Sequence, residues 1–431
     1  MILNSVLFII AMIVGGVAFW LLPEQKISAD ENRELMKQPE ATQESVLSGK
    51  YSKLFEEYYN DHFPLRDRWI AFANEIKLLK GKQNDEFRVI TTSSDTSETD
   101  DESADQPANN PQAADSDLPK DPLASLAADD EINQAEFSKV KGTVVVKGRV
   151  VQNFGGSKAT VSPFADMLNE YRQKLDPSVN LYTMIIPSGS DFYLPKQVSK
   201  GVLKEKQNIE EFNTLLAAGV VSVPAYEEMW PHKGEYIMYR TDHHWTGLGA
   251  YYAYRAFAKT VGFVPVELEQ MQFVKSEQTF MGSLYKYTRD EALKKNPDTM
   301  EYYQIPNLQN IQAFVNTSKT NINDATSPWV LYYEKTNNYG LFLGGDYPLV
   351  KIVAPNHSGR KILLIKDSFG NALAPYLANH FDEVFVIDYR HFKGGILTLI
   401  KTHGITDVLY AHNSFAANSH AVVKLGKSMM K

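Results

Sequence analysis

The chain contains no cysteine, so disulfides, thiolate nucleophiles and cysteine-ligated zinc or iron–sulfur centres are excluded. It also lacks a broad basic surface. The net charge of -8 is concentrated in one stretch, 91–131, which holds twelve acidic residues and one basic residue, Lys120, and leaves the rest of the chain at +3. A nearly neutral body without a basic stripe argues against a nucleic-acid partner. Aromatic residues are absent from 91–134, where Ser, Thr, Asp, Pro, Ala and Asn dominate. Such a composition buries too little surface to offset the entropy of ordering, which predicts a solvated acidic linker over 91–135. No repeat of fixed period is present.

The remaining residues are those of a folded protein, since 431 residues with 43% apolar and 12% aromatic content can fill a sizeable core. Residues 2–22 carry no charge and are mostly aliphatic, long enough for roughly 30 Å of helix, the span of a bilayer core. With no Lys or Arg before Lys26 and no clear small-x-small cleavage site, 1–23 reads as an uncleaved membrane anchor. Lys26, Arg33 and Lys37 follow the span, and a literal positive-inside count would keep the domain in the cytoplasm. Glu24, Asp30, Glu31 and Glu34 interleave with those cations and large domains translocate largely regardless of charge, so the expectation is an extracytoplasmic domain. Helical spacing over 48–59 and 66–80, broken around Pro64, predicts a membrane-proximal arm across 24–90.

A β-hairpin is expected over 142–152, where 136–431 begins as the main domain. Strand-like runs at 181–186, 220–223, 361–366, 383–387 and 407–410 alternate with helical patterns at 163–174, 208–217, 246–261, 371–380, 395–403 and 416–429. That alternation predicts an α/β fold with a parallel sheet and helices on both faces, three layers in all. Residues 265–356 break the rhythm and are read as an insertion that could wall a site.

Two motifs carry chemistry. Ser368 ends the 361–366 strand run just before a helical pattern, the position at which open α/β sheets collect their sites. There its hydroxyl is exposed as a candidate nucleophile, and backbone N–H groups of the incoming helix could receive an oxyanion, with Asn371 a further donor. Asp367 and Ser368 could equally be plain helix caps. Far upstream, Asp242-His243-His244-Trp245 places a carboxylate two residues from an imidazole: His244 as general base and Asp242 as its orienter. A metal site made of these residues, or a helix cap at Thr241 and Asp242, are the competing readings; no metal and no cofactor is expected. Trp245 reads as a core or pocket-wall residue, or as a surface for substrate. Tyr389 and Arg390 follow Asp388 at another strand end, where Arg390 could pair with a carboxylate or bond substrate oxygens. His412-Asn413-Ser414 is expected to support the site at most, and 187–191 reads as a simple turn that could line the crevice.

These motifs resemble those of the DHHW proteins, which are related to alginate O-acetylation proteins with an SGNH hydrolase-like domain. The likeness rests on Asp242 to Trp245, with Glu31-Asn32-Arg33, Phe63 to Arg66, Gly282 to Tyr285, Asp367 to Phe369 and Asp388 to Arg390. It implies a Ser368–His244–Asp242 triad in the chain order Asp, His, Ser, and O-acetyl transfer onto a polysaccharide through an acetyl-serine, beside a membrane-bound O-acyltransferase partner. A carbohydrate acetylesterase and a non-catalytic polysaccharide-binding scaffold are the alternatives. Two departures from ordinary SGNH enzymes stand out: Lys366 replaces the glycine before Asp-Ser, and Asp-x-His replaces Asp-x-x-His.

Overall fold

The computed structural model describes residues 27–28, 33–34, 37–63, 87–90, 142–146, 148–195, 204–288, 290–316 and 322–431. The expected anchor over 2–22, the acidic linker over 91–135 and the arm helix over 66–80 lie outside them. Among the described residues, no helix is long and apolar enough to cross a membrane.

The chain divides into two units, the smaller made of 1–84 with 285–292 and the larger of 85–284 with 293–431. In the smaller unit, the helix expected over 48–59 forms as Lys50–Asp61, and a further short helix, Gln43–Leu47, precedes it. Gly49 separates them at φ 73°, a left-handed conformation that a residue without Cβ adopts at little cost. Thr42 starts the first through a reciprocal capping box with Ser45.

The larger unit is built on an eight-stranded sheet. Its strands are β1 (Asn180–Ile186), β2 (Val220–Ser222), β3 (Gln312–Val315), β4 (Ser327–Trp329), β5 (Leu349–Val353), β6 (Lys361–Lys366), β7 (Glu383–Asp388) and β8 (Asp407–Asn413), in the order β4-β3-β5-β7-β6-β8-β1-β2. The five from β7 to β2 are parallel. Those pairing β5 with β7, β3 with β5 and β4 with β3 are antiparallel, so the sheet is mixed rather than parallel throughout. The three added strands all come from the 265–356 insertion. Pro328 sits in β4, the outermost strand, where a missing N–H does least harm.

Helices α1 (Lys158–Lys174), α2 (Glu205–Leu215), α3 (Gly247–Val261), α4 (Gly370–Leu377), α5 (Ile396–His403) and α6 (His420–Ser428) cover the sheet. Packing of α1 on α2 and α6, and of α3 on α4, forms two separate helical layers. The split follows from handedness: β6 leads through α4 to β7 on one side and β1 leads through α2 to β2 on the other, and right-handed crossovers in opposite directions fall on opposite faces. The central strands are apolar throughout because both faces are covered, with Ile362, Leu363, Leu364 and Ile365 fully buried in β6. The predicted 416–429 helix is interrupted. Asn418 turns its amide back onto Ser414 O and across to Asn208, ending a short helix before α6 begins.

The predicted 142–152 hairpin forms, and Phe87–Ile90 pairs with its first strand. Its second strand is tied to the stretch before the DHHW tetrad: Val150 N–H donates to Arg240 O at 2.8 Å, and the buried Arg149 donates to Met238 O and Tyr239 O.

Candidate active site

Asp242 to His244 ride on the tip of a tight turn. Met238 bridges Trp245 in antiparallel fashion, Tyr239 N–H donates to His244 O, and Thr246 N–H donates to Ile237 O. Asp298 fastens the approach to the turn. Its buried carboxylate accepts from Arg240 N and Thr241 N, each at 2.7 Å, from Thr241 Oγ1 at 2.5 Å, and from Tyr236 OH at 2.6 Å. The helix that follows, α3, is capped by Thr246, whose Oγ1 accepts from Gly249 N. The expectation of a cap at Thr241 and Asp242 is therefore corrected. The cap lies past the tetrad, and the Asp242 carboxylate is engaged elsewhere.

The turn delivers its histidine to the end of β6. His244 Nε2 lies 2.7 Å from Ser368 Oγ, and His244 Nδ1 lies 2.6 Å from Asp242 Oδ1, which also accepts His244 N–H at 3.0 Å. The second Asp242 oxygen accepts Ser283 N–H at 2.8 Å. That approach requires glycine next door, since a Cβ on Gly282 would stand 2.2 Å from Asp242 Cβ and 2.6 Å from its Oδ2. Burial alone would raise the Asp242 carboxyl, but His244, His243 and the Ser283 N–H outweigh it and hold the group well below the usual carboxylate range. An ionised Asp242 on Nδ1 fixes the tautomer that leaves Nε2 free to take a proton from Ser368.

The His244 ring is stacked on Tyr339, with centroids 3.7 Å apart and planes 5° from parallel. Tyr339 is held in turn by its hydroxyl on Phe369 O at 3.0 Å. It comes from the insertion, as does Asp346, so this segment supplies a wall of the site as well as strands of the sheet. Neither residue was identified from sequence, because nothing in the spacing of an irregular segment marks one tyrosine or aspartate from the next.

Asp367 braces the nucleophile turn. Its Oδ1 accepts Phe369 N–H at 3.0 Å, and its Oδ2 accepts both the backbone and side-chain N–H of Asn413 at 2.8 Å, tying the end of β6 to the end of β8. Burial pushes this carboxyl up to about 6 against those hydrogen bonds. Ser368 itself caps nothing, and α4 begins without a side-chain cap. The expectation that N–H groups of the incoming helix receive an oxyanion needs correction for three of them. Phe369 N–H is held by Asp367 Oδ1, Gly370 N–H by Asp367 O and Asn371 N–H by Ser368 O.

The secondary candidates fall away from the nucleophile. Asn371 is buried and donates from its amide to Asp346 Oδ1 at 2.9 Å. Trp245 is fully buried, its indole N–H on Phe369 O and Tyr339 OH, which makes it a core brace and not a substrate surface. Tyr389 is buried beside His412 and so is no substrate surface either. Arg390 is partly exposed, but its guanidinium is committed to Asp388 and Asp346. The same two carboxylates hold Lys366 Nζ at 2.9 and 2.8 Å, so Lys366 anchors an ionic cluster. The three candidate metal-binding residues, Asp242, His243 and His244, have ligand atoms within 4.8 Å of one another. Both His244 ring nitrogens are already engaged, by Asp242 and Ser368, so a metal there would have to break the relay.

A carboxylate, an imidazole and a serine are thus hydrogen-bonded in succession at the carboxyl ends of the parallel strands of an α/β sheet. The chain belongs to the DHHW family: the family profile, described as DHHW protein, matches residues 86–387. Its fold is similar to that of a DHHW family protein from Eubacterium siraeum, with 30% identity over 69% of this chain and 99% of that one and a TM-score of 0.61. PatB1 from Bacillus cereus is similar at 20% identity, 64% and 96% coverage and a TM-score of 0.54. A looser likeness, with a TM-score of 0.37, is to the O-acetyltransferase domain of Pseudomonas putida AlgJ, at 14% identity over 67% of this chain and 99% of that one. No curated protein sequence matches the chain.

Proposed function

We propose that the protein is an O-acetyltransferase acting on polysaccharide hydroxyls at the cell surface through an acetyl-Ser368 intermediate. The observation that carries this reading is the unbroken succession from Asp242 through His244 to Ser368, at 2.6 and 2.7 Å. Ser368 Oγ attacks the acetyl carbonyl of the donor as His244 Nε2 takes its proton. The donor's leaving oxygen departs with that proton and leaves an acetyl ester on Ser368. In the second half, His244 accepts the proton of a sugar hydroxyl, whose oxygen attacks the ester. The bond to Ser368 breaks and its oxygen regains the proton. Asp242 stays ionised and steadies the imidazolium in both halves.

Transfer to a sugar and hydrolysis to acetate share the first half, and the DHHW resemblance favours transfer. In this reading residues 2–22 anchor the chain by a single span, with 136–431 on the extracytoplasmic side beside a membrane-bound O-acyltransferase that supplies acetyl groups. The test is rapid-mixing kinetics of the full-length chain with p-nitrophenyl acetate. A burst of nitrophenol stoichiometric with enzyme, absent in Ser368→Ala, is the expected result; a folded wild type with no burst would exclude the acetyl-serine route for this donor.

A further inference from the structure

His243 is the histidine that the relay does not use. Its Nδ1 lies 2.6 Å from Ser283 Oγ, and its backbone N–H reaches the same oxygen at 3.4 Å. Ser283 Oγ can accept a proton from Nδ1 or give its own to it, so the partner sets the ring while Nε2 is correspondingly an acceptor or a donor. Burial, with His244 alongside, moves this imidazole down to about 4, so the ring is uncharged at neutral pH. It lies 3.7 Å from the His244 ring, tilted by 38°, and 5.9 Å from the Phe369 ring. Its side chain is 35% exposed where His244 is 9%. Both histidines and Asp242 line a small cleft whose other walls include Gln152, Ser188, Gly189 and Leu284. An uncharged, partly exposed imidazole thus stands at a cleft beside His244.

Resting on the acetyl-transfer reading, we propose that His243 Nε2 binds the acceptor: it hydrogen-bonds one hydroxyl of a sugar and thereby sets a neighbouring hydroxyl against His244. That second hydroxyl gives its proton to His244 Nε2 as its oxygen bonds to the acetyl carbon. The Ser368–acetyl bond breaks, and Ser368 Oγ takes the proton back. Water offers no second hydroxyl to hold, so His243 favours transfer over hydrolysis. The acceptor class is a carbohydrate or polyol with adjacent hydroxyls.

The test partitions the acetyl group. The full-length chain is acylated with p-nitrophenyl acetate in the presence of glycerol or cellobiose, and acetyl ester and free acetate are measured together. His243→Ala is expected to lower the ratio of ester to acetate about tenfold, the effect of one lost hydrogen bond in the transition state, and to raise KM for the acceptor. His243→Gln, which can return a hydrogen-bonding amide near the lost Nε2, recovers part of the ratio. A purely structural role would depress both products together and leave the ratio unchanged, which overturns the inference. So does a wild type that forms acyl-enzyme yet gives acetate alone with both probes, which would leave an esterase. A wild type that forms no acyl-enzyme removes the acetyl-transfer reading itself, and this inference with it.

Discussion

Two charged regions lie at the ends of the central strands, and they use their carboxylates differently. In the first, Asp242 gives one oxygen to the His244 imidazole and the other to a backbone N–H. In the second, Asp346 and Asp388 share Lys366 and Arg390 between them. Burial tends to raise Asp346, yet Lys366, Arg390 and the Asn371 amide hold it well below the usual carboxylate range. Both regions are tightly bonded, but only the first links its carboxylate through an imidazole to a serine hydroxyl. Lys366 and Arg390 each bridge two carboxylates. They pin the Asp346 loop of the insertion to the ends of β6 and β7, so the second region holds the scaffold on which the first works. A dense cluster of charge is therefore no sign of catalysis by itself; the partner of the carboxylate decides.

Breaking each region in turn should separate the two roles. The largest effect is expected from Ser368→Ala, with esterase turnover falling about 10⁴-fold or more while the unfolding midpoint stays close to wild type. Asp242→Asn should cost about 10³ to 10⁴ in kcat, because an amide that presents its N–H to Nδ1 selects the wrong tautomer; steady-state kinetics on p-nitrophenyl acetate measure it. Gly282→Ala drives a methyl group into Asp242 and should cost about 10²-fold in turnover by displacing the relay, with about 1–3 kcal/mol of stability lost to overpacking. Lys366→Met should show the reverse pattern. Leaving Asp388 buried without its lysine is expected to cost about 3 kcal/mol in denaturant unfolding, while turnover per folded molecule changes less than tenfold. Equal losses of turnover in Lys366→Met and Asp242→Asn would erase the distinction.

The smallest effect is on the pH dependence of stability, where two aspartates act in opposite directions. Asp367 sits at about 6 in the folded chain against an ordinary 3.8. Its raised value means that the folded state binds its proton more tightly, so its contribution is fully present below about 4 and is lost as pH rises through 6, at most about 3 kcal/mol. Asp242 is held below 3.8, so its contribution is present above that value and fades as pH falls. Denaturant midpoints measured from pH 3 to 7, roughly the range these shifts cover, should show Asp367→Asn flattening the upper part of the curve and Asp242→Asn the lower part.

Much of this was legible in the sequence where burial is two-sided. The apolar runs of β6, β7 and β8 announce a covered parallel sheet, and a small hydroxyl residue at the end of one of them announces Ser368. The Asp-x-His spacing carries the other half, because two residues on a tight turn bring a carboxylate to its own downstream imidazole. The antiparallel strands β3, β4 and β5 stayed hidden, since runs as short as Gln312–Val315 and Ser327–Trp329 have little periodicity and one contains proline. The engagement of Asn371 was not legible, because proximity in sequence said nothing of Asp346, which lies across a loop and claims its amide. The motif at Gly282-Ser283 was visible, but its purpose depends on an approach of backbone to carboxylate that only the folded chain displays.

The measurement that tests the central claim most directly is the intact mass of the full-length chain after brief exposure to p-nitrophenyl acetate, followed by peptide mapping. An adduct of about 42 Da on the peptide carrying Ser368, absent in Ser368→Ala and retained longer in Asp242→Asn than in wild type, is the predicted result. An adduct on another residue that persists in Ser368→Ala would contradict the account.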